Sequence, residues 1–328
     1  MTLITRQRVL VGVFAALILA PAVAIGQKYP SKAIRLVIPQ APTGGGDVIA
    51  RALGARLAEA LGQPVVYDNR AGAGGSIGSD LVAKAPPDGH TILVVSSAHT
   101  INPSLYATLP YDTEKSFAPI GLVASISFVL SVHPSMPARS VKQLVALAKS
   151  RPGQMNYGSG GNGSSNHLAM EYFKMTAGVD IVHVPYKGGA PATTALLSGE
   201  VGTTFASPPH VIGHINAKRL AGLAVTNKAR LPSLPELPTI AESGFPGYID
   251  TGWYGFLAPA GTSKEIINVL NQELVMIQQS SQMQEFYTRQ GFEPPIGLTP
   301  DDFAKLIKTE LVKWAKVAEK AGIRRGSL

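Results

Sequence analysis

The stretch that most constrains this chain is Pro39-Gln40-Ala41-Pro42-Thr43-Gly44-Gly45-Gly46-Asp47, which joins a strand to a helix through nearly bare backbone. Before it, Ile34-Arg35-Leu36-Val37-Ile38 is a short apolar run of strand type that Pro39 stops. After it, Val48, Ile49, Leu53, Leu57 and Leu61 recur at helical spacing, which puts Asp47 at the N-cap. Read alone, this is an ordinary strand-to-helix connection with a capping aspartate. Glycines at a helix N-terminus also expose unpaired N–H groups at the positive end of the helix dipole, which is an anion site. The chain repeats the device in Arg70-Ala71-Gly72-Ala73-Gly74-Gly75-Ser76-Ile77-Gly78, and again from Asn156 to His167 through Gly158-Ser159-Gly160-Gly161-Asn162-Gly163-Ser164. Strands alternating with helices predict parallel α/β sheets, with such turns at the carboxyl ends of the strands, where ligands bind.

The mature fold starts after the first two dozen residues. Arg6 and Arg8 form a positive n-region, Val9 to Ala20 an apolar h-region, and Ala22-Val23-Ala24 a small-residue cleavage pattern. We expect residues 1–26 to be a signal peptide cut between Ala24 and Lys28, since the apolar run is shorter than the roughly 20 residues of a membrane span. The chain has no cysteine, which excludes disulfides, thiolate metal sites, cysteine nucleophiles and an N-terminal lipid anchor. A freely exported protein of this kind is expected in the periplasm. The formal charge of +8 falls to +6 once Arg6 and Arg8 leave, a balance that suits an anionic partner. Lys and Arg are scattered without basic runs or interleaved aromatics, which argues against nucleic acid.

The 328 residues are comfortable for two domains. Further strands are expected at 65–67, 91–95, 181–184, 202–206, 220–225 and 253–257, and helices at 141–149, 168–175, 188–197, 264–279 and 300–321. The long uncharged run Ile120 to Val132 reads as one strand crossing between domains. Two α/β lobes follow, the first completed by the C-terminus, with crossings near residues 125 and 252.

Several enzyme-like patterns are present and weak. Gly74-Gly75-Ser76-Ile77-Gly78 fits the nucleophile elbow, but about six residues separate its serine from the strand. An exported hydrolase using Ser76 is the alternative reading. Gly158 to Gly163 fits the dinucleotide fingerprint, yet the acid expected after the next strand is missing. His210 and His214 are four apart as in a zinc helix, but Val211 stands where the catalytic glutamate belongs. No cofactor or metal is expected.

Motifs along the whole mature chain together resemble the solute receptors of tripartite tricarboxylate transporters, the Bug-type periplasmic binding proteins. They are Tyr29-Pro30-Ser31-Lys32 leading into 42–47, Asn69 to Gly75, Lys84-Ala85-Pro86-Pro87-Asp88-Gly89, Asn156-Tyr157-Gly158-Ser159, His183-Val184-Pro185-Tyr186-Lys187-Gly188-Gly189, Pro238 to Gly244, and Trp253 through Thr262. The resemblance implies an α/β, two-lobed type II periplasmic-binding-protein fold, each lobe a sheet flanked by helices. Lobe I would comprise 27–125 with 252–328, and lobe II 126–251. It implies a monomer without catalytic residues that closes on a small organic acid (a di- or tricarboxylate, amino-acid or aromatic acid). The acid would then pass to integral membrane transporter subunits. The site residues carried over are Ala41, Thr43, Gly44, Gly45, Gly46, Asp47, Gly74, Gly75, Ser76 and Ser97 on lobe I. On lobe II they are Ser159, Gly160, Asn162, Ser164, His167, Ala206 and Ser207.

Two departures touch this pocket. Gln40 stands where an aromatic commonly follows the first strand's proline, and Thr43 precedes the three glycines rather than following them. The stretches 39–47, 72–78 and 158–167 contain no Lys or Arg, so backbone amides are expected to hold the acid, with Arg70 and Lys187 at the surface.

Overall fold

The structure is a computed structural model that describes residues 29–248, 250–295, 299–320 and 326. The expected signal peptide lies outside them. From Ile34 the chain runs β1 (Ile34–Ile38), α1 (Gly45–Leu61), β2 (Val65–Asn69), a 3₁₀ turn (Ala73–Gly75), α2 (Ser76–Ala83), β3 (Thr91–Ser96) and α3 (Ala98–Leu105). It continues through β4 (Phe117–Ser127), β5 (Val129–Val132), α4 (Val141–Ser150), β6 (Asn156–Ser159), α5 (Ser165–Ala177), β7 (Val182–Pro185), α6 (Gly189–Ser198), β8 (Thr203–Ala206), α7 (Pro208–Asn216) and β9 (Ala221–Val225). It returns through β10 (Thr251–Pro259), α8 (Lys264–Gln279), α9 (Ser281–Gln290), β11 (Phe292–Glu293) and α10 (Pro300–Lys320).

Two sheets result. The first has strand order β11-β4-β10-β3-β1-β2, and the second β7-β6-β8-β5-β9. β1 pairs parallel with both β2 and β3, so its carboxyl end opens where the glycine turns begin. Its near-continuous apolar sequence follows from burial on both faces. Ile34, Leu36 and Ile38 pack in one core with Ile49 and Leu53 of α1 and Leu270 and Leu274 of α8. Val37, pointing the other way, packs with Val82 of α2 and Phe303 of α10.

The expected single strand 120–132 is two strands in different sheets, interrupted at Phe128. Phe128 N–H donates to Thr226 Oγ1 at 2.9 Å, and Thr226 N–H returns a bond to the Phe128 carbonyl at 3.0 Å. The Thr226 hydroxyl donates to the Asp250 carbonyl at 2.6 Å, and Asp250 N–H donates back to Thr226 at 3.1 Å. Thr226 is fully buried and ties the two crossings side by side. Burial raises the neighbouring Asp250 carboxyl to about 6. Outside this hinge, Trp314 of α10 packs against Leu168 of α5 together with Ile101 and Leu105 of α3, so the last helix touches both lobes. Helices α3 and α9 were not anticipated from periodicity; α3 carries Pro103 and few apolar residues, and α9 is strongly polar.

Two glycines make the packing testable. A Cβ on Gly255 of β10 would stand 2.1 Å from the fully buried Phe303 ring. Gly255→Ala is expected to cost about 1–3 kcal/mol through overpacking, seen as a lower Tm by calorimetry. Gly213, exposed within α7, has nothing within 4 Å of that position. Gly213→Ala should instead stabilise by about 0.5–1 kcal/mol. The same sign of shift in both variants would contradict this packing.

Candidate functional site

The first turn is organised by two side chains that turn inward on the backbone. The N-cap of α1 is Gly44, with φ −64° and ψ 158°, and not the expected Asp47. Asp47, three residues into the helix, reaches back and accepts the Thr43 N–H at 2.9 Å. That bond holds Thr43 at φ +65°, a conformation costly for a β-branched residue. Asp47 also accepts from Arg51 Nε at 2.9 Å and Asn69 Nδ2 at 3.0 Å. Burial pushes its carboxyl up, but these bonds outweigh burial and hold it below the usual range. Gln40 Oε1 accepts the Gly46 N–H at 2.9 Å, which gives the unusual Gln40 a capping role. Gly44 N–H donates to the Ala41 carbonyl at 3.1 Å. Of the three glycine amides, Gly45 N–H alone has no partner among the described residues.

The second turn is a run of left-handed backbone at Gly72, Ala73, Gly74 and Gly75, closed by a 2.9 Å bond from Gly75 N–H to the Gly72 carbonyl. It lies directly on the first turn: a Cβ on Gly78 would stand 2.8 Å from Pro39 Cβ. In the third turn Ser159 Oγ lies 2.6 Å from His183 Nε2 and accepts the Gly161 N–H at 3.1 Å. Asn166 Oδ1 accepts the Gly160 N–H at 3.2 Å, while its Nδ2 donates to the Phe205 carbonyl at 2.9 Å. His167 Nδ1 accepts the Gly163 N–H at 3.2 Å, and its ring stacks on His183 at 4.1 Å.

A fourth turn belongs with these. Gly188 (φ +118°) is the N-cap of α6, and its N–H donates to the Gly160 carbonyl at 3.2 Å. The glycine-before-helix pattern at 188–189 was visible in the sequence, but the site residues first expected did not include it.

The four turns enclose a cavity of about 630 Å³ between the sheets. Of the expected residues, Ala41, Gly44, Gly45, Gly74, Gly75, Gly160, Asn162, Ser164 and Ser207 line it. Gly46, Asp47, Ser76, Ser97, Ser159, His167 and Ala206 are buried behind the wall, and Thr43 is exposed outside it. Residues beyond that expectation also line it, among them Gln40, Ala71 to Ala73, His99, Asn102, Tyr106, Ser165, Asn166, Tyr186 to Gly189, His210 and Tyr254. Lys187 is exposed at the cavity edge, whereas Arg70 is paired with Asp68 at 2.8 Å and does not reach it. No Asp or Glu is among the lining residues.

The lobes also touch across the cleft. His210 Nε2 donates to the Thr43 carbonyl at 2.9 Å, since a carbonyl can only accept. Ser165 Oγ accepts from Ser97 Oγ at 2.9 Å and from Ala98 N–H at 3.1 Å. A Cβ on Gly188 would come within 3.1 Å of Ala41 Cβ, so the lobes meet there with no room for a side chain.

Two hinged sheets with a cavity of this lining define a two-lobed solute receptor of the periplasmic-binding-protein type. The sequence pattern of the tripartite tricarboxylate transporter family receptors matches residues 49–323, and the chain belongs to that family. It is 36% identical over 322 residues to Protein BugT of Bordetella pertussis, covering 98% of both chains. Among solved structures it is similar to periplasmic binding protein BugD, at 32% identity and TM-score 0.87 over 90% of this chain and 100% of that one. It is likewise similar to an R. palustris protein solved with adipate, at 38% identity and TM-score 0.87 over 90% and 99% of the two chains.

The histidines that support the site predict its acid sensitivity. Burial lowers His99 to about 4 and His183 to about 4; burial, with His183 and Lys174 nearby, lowers His167 to about 3. Unfolded, such rings titrate near about 6.5. Between these values the unfolded chain binds more protons, so stability is full above about 6.5 and is lost as pH falls toward 4. Tm should therefore drop between about pH 7.5 and pH 5. His167→Asn, which keeps an acceptor for Gly163 N–H, should flatten that dependence; an unchanged slope would remove His167 from the cause.

Proposed function

We propose that this protein is a periplasmic receptor that captures a small carboxylate between its lobes and delivers it to the membrane subunits of a tripartite tricarboxylate transporter. The observation that carries the reading is the lining: helix N-termini of α1, α5 and α6 face one cavity with Lys187 at its edge and no acidic residue among them. Each such terminus carries roughly half a positive charge, and a carboxylate is the group that answers several at once. We place the gripping amide at Gly45, with the turns at 72–75, 160–165 and 187–189 closing around the ligand. The family match and the adipate complex of the R. palustris neighbour support a carboxylate as cargo.

The hydrolase alternative using Ser76 loses support. Ser76 is 8% exposed and stands behind the cavity wall. The described serines with an imidazole at hydrogen-bond distance are Ser159, which is fully buried, and Ser135, which meets His133 outside the cavity. We therefore read the chain as a binding protein that returns its ligand unchanged, and propose that it acts as a monomer.

Calorimetry with mono-, di- and tricarboxylates on the mature protein tests this directly, with the acid recovered intact as the expected outcome. Gly45→Ala would set a methyl 2.6 Å from the Tyr254 hydroxyl and over the free amide. One hydrogen bond to a charged group is worth about 1.5–3 kcal/mol, so affinity should fall roughly ten- to hundredfold. In a Tyr254→Phe background the clash with the hydroxyl is gone while the methyl remains, and the loss should persist. Undiminished binding in Gly45→Ala would move the anion site elsewhere.

The two cations should separate as well. Lys187→Ala removes an exposed charge worth about 0.2–1 kcal/mol, a severalfold loss at most. Arg70→Ala should leave affinity unchanged. A hundredfold loss in either would replace the backbone cradle with a side-chain clamp.

A further inference from the structure

His210 is the side chain by which lobe II holds lobe I across the cleft, and its ring lines the cavity. Nε2 donates to the Thr43 carbonyl at 2.9 Å, so this nitrogen keeps its proton. Nδ1 is shielded from solvent and has no hydrogen-bond partner among the described residues. It lies against the start of α6, where a Cβ on Gly189 would stand 3.0 Å away. One nitrogen is committed to a carbonyl, and the other has no acceptor for a second proton. The ring is therefore neutral in this arrangement, and burial lowers its pKa below the usual histidine value.

No described neighbour supplies a counter-charge. α6 and β5, which pack on α7, carry no titratable residue. α9 brings Glu285 and Arg289, both exposed, and the buried Tyr287, whose hydroxyl donates to the Val123 carbonyl at 2.7 Å. α7 itself adds the partly buried His214. Before α6 stand Tyr186, whose hydroxyl donates to Glu200 at 2.7 Å, and the exposed Lys187. From lobe I, the Asp47 carboxylate is turned to Thr43 N–H, Arg51 and Asn69, and the Tyr254 phenol is kept neutral by burial. Among the described residues, His210 thus shares the cavity with three helix N-termini, one lysine and no acid. Each of those charges opposes a second proton on the ring. A bound carboxylate reverses the balance, because in a site partly closed to water unit charges interact several times more strongly than in bulk.

Resting on the carboxylate reading above, we propose that His210 takes up a proton when the acid is captured, so that the closed receptor holds an imidazolium beside its bound carboxylate. The proton comes from solvent and adds to Nδ1, and no bond of the ligand changes. Nε2 still donates to the Thr43 carbonyl, now from a charged ring, and such charge-assisted bonds are roughly twice as strong as neutral ones. Capture of the acid therefore tightens a bond between the lobes at a point the ligand need not touch. Linkage fixes the sign. The ring binds its proton more tightly in the occupied site than in the empty one, so the ionised acid binds more tightly as pH falls between those two values. Above both, the ring stays neutral and affinity is at its lowest.

Calorimetry on the mature protein with benzoate, succinate and adipate, run in buffers of low and high ionisation heat, counts the protons taken up. For whichever acid binds, a fraction of a proton per ligand is expected at about pH 6.5 and none at about pH 8.5, with affinity severalfold higher at the lower pH. His210→Gln keeps an N–H for the Thr43 carbonyl but cannot titrate, and should abolish the uptake and flatten the affinity. NMR of the histidine ring carbons in the unmutated protein places the proton. Saturation with the acid at about pH 6.5 should move the His210 signal, and not those of His99, His167 or His183, to the imidazolium position. Binding without proton uptake overturns the proposal, as does uptake that persists in His210→Gln or an imidazolium signal from another ring. Absence of binding by every acid overturns the carboxylate reading itself, a different result from binding without uptake.

Discussion

Helix N-termini brought face to face across a narrow gap repel one another, and much of this structure manages that repulsion. Termini of α1, α5 and α6 open on one cavity, and that of α3 lies at its wall. For several of these amides the protein supplies its own acceptors. Asp47 takes the Thr43 amide, Gln40 that of Gly46, Asn166 that of Gly160, and Ser165 that of Ala98. What is left over, with Gly45 N–H at its centre, is a positive field with no internal counter-charge. An anion that sits there interacts with both lobes together and only when they are near. Its binding energy is therefore differential between open and closed arrangements, which is the condition for a ligand to drive closure.

The hinge and the strap set how that closure is guided. Thr226 pairs with Phe128 on one crossing and Asp250 on the other, so the two connections bend as one unit. Because Thr226 is completely buried, its hydroxyl has no water to exchange with, and breaking the node would leave unsatisfied backbone on both strands. On the far side, Trp314 is wedged between α3 and α5 with its indole N–H held by Glu310 at 2.8 Å. The lobes are therefore joined by a stiff, hydrogen-bonded node and an apolar contact that tolerates sliding. Between them the cleft contacts Ser97–Ser165 and His210–Thr43 are few and polar, suited to being made and broken.

How much was legible in the sequence follows from the range of the signals. Glycine turns before amphipathic helices are local, and three of them marked the strand ends that carry the cavity. The receptor family was legible from ordered motifs for the same reason. Which atoms of those turns remain free was not legible, because it depends on side chains that fold back over a few residues. Asp47 was expected at the N-cap; its real position, three residues in, is decided by the positive φ of Thr43. Ser159 and Ser164 were both expected at the site, and of the two only Ser164 lines the cavity. The Ser159 hydroxyl contacts His183 behind the wall, and that of Ser164 donates to the Gly161 carbonyl, contacts that no spacing rule reveals. His99, Asn102, His210 and Tyr254 reach the cavity only through tertiary packing, and α3 lacked the apolar period that would have announced it.

The buried Ser159–His183 pair shows why a shared geometry does not carry a shared chemistry. A serine at the end of a parallel strand, an imidazole at 2.6 Å and glycine amides nearby are ingredients of an acyl-transfer site. Here each is turned to holding the backbone. Ser159 is fully buried and accepts Gly161 N–H, so its oxygen lone pairs and the neighbouring amide are spent on the turn. His183 stacks on His167, and burial lowers both rings far below the range in which a general base would work at neutral pH. Neutral rings are what the location requires, since a charged imidazolium behind the turn would add to the positive field already converging there. Ser159 and His183 thus act as supports that keep amides aimed at the cleft, which is the work of a receptor.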